Sequence, residues 1–286
     1  MQELSGLNYK EVQMEIVEFL KFKFKQNGFK KAVIGLSGGL DSAVVANLAV
    51  LALGKDNVHG ILMPYNKVEG SATMDVKDAT IIAEHLQISY ETIDITKPVD
   101  MLCDMYGIDI NDDTMGYGDA LQRGNISARL RMVTLFQHSS KHKALVLGTE
   151  CKSEELLGYF TVFADSASSI ESIIDLYKTE VFALAKYLEL PQFILTKSPS
   201  ARLWNGHTDE KELGLPYSKI DKVLVAYSEA VEYYCPDEFY EVTVSVKKNV
   251  ICKDITDNEI EAVLAQVRAK SFKHHLPIVP DFSFDR

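Results

Sequence analysis

Residues Ala32-Val33-Ile34-Gly35 run straight into Leu36-Ser37-Gly38-Gly39-Leu40-Asp41-Ser42, then into Ala43-Val44-Val45-Ala46-Asn47-Leu48. A short β-branched run, a Ser/Gly turn and a helical apolar pattern read as strand, tight loop and helix. Strand-like runs recur at 31–36, 58–63, 89–95 and 144–147, separated by helical patterns at 42–53, 71–86 and 119–138. Strands alternating with longer helices predict βαβ units and an α/β fold: a doubly wound parallel sheet with helices on both faces. Ligands of such sheets bind at the carboxyl ends of strands, where residues 37–42 fall.

Two adjacent glycines let a ligand approach the backbone closely and leave the amide N–H groups open. The helix that follows turns its positive end into the same loop, which suits a phosphate chain. Ser37 and Ser42 add hydroxyls, and Asp41 adds a carboxylate able to hold Mg²⁺. No lysine follows the glycines, so the segment is not a P-loop. Its Ser-Gly-Gly-Xaa-Asp-Ser pattern resembles the signature of the ATP pyrophosphatases, which grip the pyrophosphate end of ATP and transfer AMP to a substrate oxygen.

With 286 residues, 47% of them hydrophobic, the chain has enough apolar material for one sizeable core. A single domain over residues 1–286 is expected, opening on a helix at 9–28 that Gly28 stops and closing on a helix and tail at 256–286. Thr256 and Glu259 form a capping box at the start of that last helix. Residues 149–172 and 199–216 read as irregular loop regions, with 159–172 and 200–215 as candidate lids and helices at 175–190 and 218–234 around them. The N-terminus lacks the regions of a signal peptide and the apolar run at 43–53 is too short to span a bilayer, so a cytoplasmic protein without membrane partners is expected. A net charge of −11 disfavours a broad nucleic-acid surface. Cys103, Cys151, Cys235 and Cys252 show no metal-binding or disulfide spacing.

Further segments follow in order. Gly124-Asn125-Ile126-Ser127-Ala128-Arg129-Leu130-Arg131-Met132 puts two arginines on a helix, where they either pair with phosphates or a carboxylate or simply face solvent. Gly148-Thr149-Glu150-Cys151-Lys152-Ser153-Glu154 follows a strand, and Glu154 is a candidate second Mg²⁺ carboxylate beside Asp41. Cys151 between them reads as a small loop residue rather than a nucleophile. Leu176-Tyr177-Lys178-Thr179-Glu180 opens a helix and offers Lys178 as a phosphate cation. Lys197-Ser198-Pro199-Ser200-Ala201 is a small hydroxyl loop, and Thr208-Asp209-Glu210-Lys211-Glu212-Leu213-Gly214 with Tyr217, Ile220 and Asp221 completes the series.

Together these segments resemble the ammonia-dependent NAD synthetases from the first helix to the C-terminus. That resemblance implies the adenine nucleotide α-hydrolase (Rossmann-like) fold, a homodimer, and a reaction that adenylates the nicotinate carboxylate of deamido-NAD with ATP before ammonia displaces AMP. It assigns ATP contacts to Ser37, Gly38, Gly39, Asp41, Ser42, Thr149, Lys178 and Ser200, and Mg²⁺ to Asp41 and Glu154. It gives substrate contacts to Arg129, Asp165 and Lys273, and puts Asp41, Asp165, Lys178 and Lys273 in the chemistry. His274 and His275 read as phosphate contacts rather than metal ligands. With the signature beginning near residue 32 there is no room ahead of it for a glutaminase domain, so free ammonia or a separate glutaminase subunit is expected.

The substrate side departs from the family pattern. Where the family writes Gly-Tyr-Phe-Thr-Lys-Tyr-Gly-Asp-Gly and a later Asp, this chain has Val162 for the lysine, Ala164 and Ser166 for the glycines, and Ser169 for the aspartate. Arg202 replaces another aspartate, and Phe272 and His274 flank Lys273 in place of His and Arg. Three readings follow: drift within a working NAD synthetase, a paralogue amidating a different carboxylate, or a nucleotide-binding protein without turnover. A tRNA-modifying ATP pyrophosphatase is opposed by the charge and the cysteine spacing.

Overall fold

The computed structural model describes residues 6–66, 74–112, 118–201, 204, 206–233, 239–250 and 254–275. The first helix, α1 (Tyr9–Gln26), starts where the Asn8 side chain accepts the Lys10 amide, and it buries Val17, Leu20 and Phe24. Strand β1 (Lys31–Gly35) then feeds α2 (Leu40–Leu53), whose N-cap is Gly39. Eight residues of α2 are buried, as expected of a helix apolar on almost every side. The chain continues through β2 (Val58–Leu62), α3 (Val76–His85), β3 (Ser89–Thr92), α4 (Thr96–Tyr106) and α5 (Asp119–His142). After β4 (Ala144–Gly148) come α6 (Lys152–Leu157), β5 (Ile170–Glu171), α7 (Lys178–Tyr187), α8 (Gln192–Thr196) and α9 (Asp209–Leu213). Three longer helices, α10 (Tyr217–Val231), α11 (Phe239–Asn249) and α12 (Asp257–Lys270), and a 3₁₀ turn at Ser271–His275 close it.

All strand pairs are parallel and the order is β3-β2-β1-β4-β5. The chain therefore steps from β1 to β2 on one side and later returns to place β4 on the other. That reversal makes the gap between β1 and β4 the topological switch point, the position where open α/β sheets take ligands. The loop at 36–39 and the Thr149–Cys151 turn leave the carboxyl ends of those two neighbouring strands.

One hydrophobic cluster fills the face under α1, α2 and α7, with Leu20, Ile34, Val44, Leu48, Leu147 and Leu184 at its centre. On the other face Leu135 of α5 packs on Val33 and Ile61. A separate cluster, including Leu157, Tyr217, Leu224, Val242 and Leu264, forms where α10, α11 and α12 close over α6. Buried polar bonds tie the two masses together. Ser153 Oγ donates to Asp221 Oδ1 (2.6 Å), the Thr179 amide donates to Asp221 Oδ2 (2.8 Å), and the Lys178 amide donates to Ser153 Oγ (2.8 Å).

The α/β class and the four long strand runs agree with expectation. The capping box at Thr256 is formed, with the Glu259 amide donating to Thr256 Oγ1 and the Thr256 amide to Glu259 Oε2. Elsewhere the sequence reading is corrected. Helix α7 begins at Lys178 rather than near 175, because the Glu180 carboxylate turns back to accept the Tyr177 amide and fixes the N-terminus there. Helices α4, α8 and α11 and the two-residue β5 were not expected, and α6 and α9 lie in stretches read as loop. The proposed start of α3 at Ser71 lies outside the described residues, as do Arg202, Cys235 and Cys252. Among the described residues no helix is long and apolar enough to cross a membrane.

Candidate active site

Gly38 carries a φ of +70°, and a Cβ there would stand 2.7 Å from the Asp75 carbonyl and 2.9 Å from Asp78 Cβ. Both backbone and space therefore demand glycine at the β1–α2 turn. Ser42 Oγ accepts the Ser37 amide at 3.3 Å and lies 3.0 Å from Ser37 Oγ, while the Gly39 amide donates to Ser37 Oγ at 3.2 Å. Lys197 fastens this loop to the segment that opens α3: its Nζ donates to the Gly38 carbonyl (3.0 Å), Asp75 Oδ1 (2.9 Å) and Asp78 Oδ2 (2.8 Å).

Asp41, in the first turn of α2, meets Lys178, in the first turn of α7. Lys178 Nζ lies 2.9 Å from both Asp41 oxygens and 2.7 Å from Glu154 Oε1. Its side chain is 1% exposed. Burial alone would lower its pKa, but the Asp41 and Glu154 carboxylates hold the ammonium well above the usual lysine range. Two carboxylates from the two central loops thus share one buried cation. Among the described residues, Asp41, Cys151 and Glu154 are the one group of three potential ligands with donor atoms within 4.8 Å of one another. The oxygen donors suit a hard cation such as Mg²⁺; a thiol does not. The Cys151 side chain is fully buried, and that burial, with Glu154 beside it, pushes the thiol well above its ordinary range. It is a spectator, as its small-loop-residue reading implies.

A cavity of about 890 Å³ opens over these residues, lined among others by Ser37, Thr149, Asp165, Lys197, Ser200 and Lys273. The volume falls within the range of small-molecule and cofactor sites. Lys273, in the closing 3₁₀ turn, donates to the carbonyls of Gly158 (2.8 Å) and Phe160 (2.7 Å) and so clamps the loop after α6. Asp165 faces the cavity with Oδ1 accepting the Thr161 amide at 2.9 Å. The crowded wall pushes its carboxyl up to about 6, against the pull of that amide.

The structure separates the two arginines of α5. Arg131 lines the cavity, its Nε donating to the Met63 carbonyl at 3.2 Å. Arg129, the residue singled out by sequence, is exposed and stands outside the cavity lining, with Nη2 3.4 Å from the Val162 carbonyl. Sequence reading also passed over Lys197, although it opens the hydroxyl loop that contains Ser200. In that loop Ser200 Oγ donates to the His207 carbonyl at 2.6 Å. His207 Nε2 lies 2.8 Å from Glu212 Oε2, which also accepts the Tyr159 hydroxyl at 2.6 Å, so the loops at 159 and 207 are joined.

The departures around residue 162 have a local account. Ala164 is buried, and positive φ appears at Phe163 (+57°) instead of at a glycine. Ser169 Oγ accepts the Val146 amide at 3.1 Å, so this residue extends the edge of β4.

Glu150 is a further residue the sequence reading left without a role. It lines the cavity at 7% exposure, its Oε1 has no hydrogen-bond partner, and its amide donates to Glu171 Oε2 at 3.3 Å. The Glu171 carboxylate in turn lies where a Cβ on Gly148 would stand, so only glycine fits there. Burial, then the neighbouring Glu155, pushes Glu150 up to about 10. Folded Glu150 keeps its proton to that pH, whereas the unfolded chain releases it near 4.5. Between those values the native state binds the extra proton, so stability falls as pH rises. Glu150→Gln carries no such penalty. Its Tm is expected to exceed that of the parent by a margin that grows from about pH 5 to about pH 9 and reaches a few degrees or more. Thermal melts at acidic and alkaline pH check this, and a gain equal at both would remove the buried proton from Glu150.

Residues 12–277 match the family described as NAD synthase. The chain is similar to the NH(3)-dependent NAD(+) synthetase of Fusobacterium nucleatum subsp. nucleatum, 41% identical over 276 residues covering 96% of each protein. Among solved structures, NMN synthetase from Francisella tularensis matches with a TM-score of 0.77 at 31% identity, over 96% of this chain and 100% of that one. The NH3-dependent NAD synthetase of Campylobacter jejuni subsp. jejuni NCTC 11168 matches at 0.74 and 29%, over 96% and 100%.

Proposed function

The chain belongs to the NAD synthase family, and from there we propose that it uses ATP to join ammonia to the carboxylate of deamido-NAD, giving NAD, AMP and pyrophosphate. The observation that carries this reading is the meeting of Asp41, Glu154 and Lys178 at the switch point, beside the Ser37–Ser42 loop and under the cavity.

A carboxylate is a poor acyl electrophile. Its oxygen attacks the α-phosphorus of ATP, pyrophosphate leaves, and the acyl adenylate that forms, a mixed anhydride, has AMP as a good leaving group. Such transfer asks for positioning and charge neutralisation. Gly38, Gly39, Ser37 and Ser42 offer amides and hydroxyls to the phosphates, with Thr149 and Ser200 at the flanks. Lys178 and Lys197 supply positive charge from inside the wall. Asp41 and Glu154 fit Mg²⁺, which when bound neutralises phosphate charge. Arg131 and Lys273 face the carboxylate substrate, and Arg129 holds the loop at Val162 from outside. Ammonia then attacks the carbonyl carbon and AMP departs. Asp165 receives the proton that the new C–N bond releases; the Asp165 oxygen left open by the Thr161 contact is Oδ2. Water must be kept from the acyl adenylate, a task for the joined loops at 159 and 207.

The same reading takes residues 1–286 as one functional unit, acting in the cytoplasm as a homodimer on free ammonia or ammonia from a separate glutaminase. It puts the dimer contact on α1 and α5, where Phe22 and Val133 are exposed. The deciding experiment mixes purified protein with ATP, Mg²⁺, ammonium and deamido-NAD and follows NAD and AMP by mass spectrometry. Prompt NAD formation is expected. A protein that instead turns over only nicotinate mononucleotide, run in parallel, would move it to the paralogue reading to which the match with an NMN synthetase points.

A further inference from the structure

At the amino edge of the sheet, opposite the cavity, three histidines gather that the reaction does not use. His138 and His142 stand four residues apart in the last turns of α5, so their rings share one helix face. His59, second residue of β2, brings the third: its ring centroid is 4.7 Å from that of His142, and those of His138 and His142 are 6.1 Å apart. Glu91 of β3 joins them with Oε2 3.5 Å from His138 Nε2.

The neighbours set the ring nitrogens. The Thr134 carbonyl, 2.8 Å from His138 Nδ1, can only accept, so Nδ1 carries the proton and Nε2 is the nitrogen turned to Glu91. His59 Nδ1 lies 2.8 Å from Ser89 Oγ, leaving its Nε2 enclosed and without a hydrogen-bond partner. His142 Nε2 is likewise enclosed and unpartnered. Two such enclosed nitrogens are costly unless a ligand uses them. Neutral imidazole is the form that ligates metal.

We propose that His59, His138, His142 and Glu91 form a binding site for one borderline divalent transition-metal ion, with Zn²⁺ as its representative. Three imidazoles and a carboxylate make a four-ligand N₃O set suited to Zn²⁺ and unsuited to Mg²⁺. The ring nitrogens are spread wider than a bound ion requires, so the proposal includes an inward turn of the side chains on binding. Ser89 and Thr134 are the outer hydrogen-bond partners that orient metal-bound histidines. The C-terminal end of α5 adds its partial negative charge. A metal here staples α5 to β2 and β3, and the inference is independent of the reaction assigned above.

The test is calorimetric titration of the full chain with Zn²⁺ in excess Mg²⁺, repeated with Co²⁺ for its visible spectrum. One equivalent is expected to bind, at least about tenfold more weakly in His59→Ala and His142→Ala and unchanged in Asp41→Asn. The Co²⁺ bands of a four-coordinate site without thiolate should appear in the parent and vanish in His142→Ala. Ser89→Ala leaves every ring in place and removes only the hydroxyl that orients His59, so a loss of about tenfold there supports the site even if a ring variant fails to fold. Zn²⁺ binding that survives in both His142→Ala and Ser89→Ala, that is lost in Asp41→Asn, or that is absent below about 1 mM overturns the proposal.

Discussion

Asp41→Asn is expected to lower kcat for NAD formation by at least about 10²–10³-fold while the protein stays folded. Asparagine keeps the shape of the side chain but removes the charge, and Lys178 retains its 2.7 Å bond to Glu154. The fold should therefore survive. What is lost is one of the two carboxylates that Mg²⁺ typically takes when it is shared with a polyphosphate. Circular dichroism and a melting curve separate a folded, inactive enzyme from an unfolded one, and mass spectrometry of NAD and AMP gives the rate. An Asp41→Asn enzyme with a tenth of the parent rate would take Asp41 out of the phosphate site.

Lys178→Met should fail in both respects. Its removal leaves Asp41 and Glu154, 21% and 17% exposed, facing each other without a cation. Stranding buried charges in this way costs about 3–5 kcal/mol. At about 2–4 °C of Tm per kcal/mol for a large domain, the drop is roughly 6–20 °C. Turnover should fall with it. The sign of the Mg²⁺ effect distinguishes this account from general damage: Mg²⁺ should raise the Tm of Lys178→Met and leave the parent nearly unchanged, because a divalent ion can stand in for the lost ammonium. A variant as stable as the parent, or one indifferent to Mg²⁺, would contradict the shared-cation arrangement.

The parts of the fold readable in sequence were those where one local signal dominates. β1, the Gly38 turn and α2 are legible because an apolar run, a forced positive φ and a second apolar run follow one another without a gap. Asp41, Glu154 and Lys178 could be listed as candidates, but that they converge depends on which strands become neighbours, and nothing local encodes β4 beside β1. α6 and β5 escaped because six and two residues are too few for a period to emerge. α4 escaped because it carries Pro98 in its first turn and buries only Val99 and Cys103. Sequence singled out Arg129 where Arg131 lines the cavity, and the reason is geometric. Residues two apart on a helix point to different faces, and only the packing of α5 on the sheet decides which enters the cavity. Glu150 was invisible for the opposite reason, since an acidic residue in a loop reads as solvated until burial is known.

The buried bonds that Asp221 makes to Ser153 and Thr179 have an evolutionary side. They weld α6 and α7 into both apolar masses, so change there is punished by unfolding. The stretch from Tyr159 to Ser169 hangs instead from its rim, held by Lys273 and Arg129 on backbone carbonyls that any residue supplies. Val162, which offers only its carbonyl, and the exposed Phe163 can be exchanged with little penalty to the whole. Change at those two positions is thereby uncoupled from survival of the scaffold.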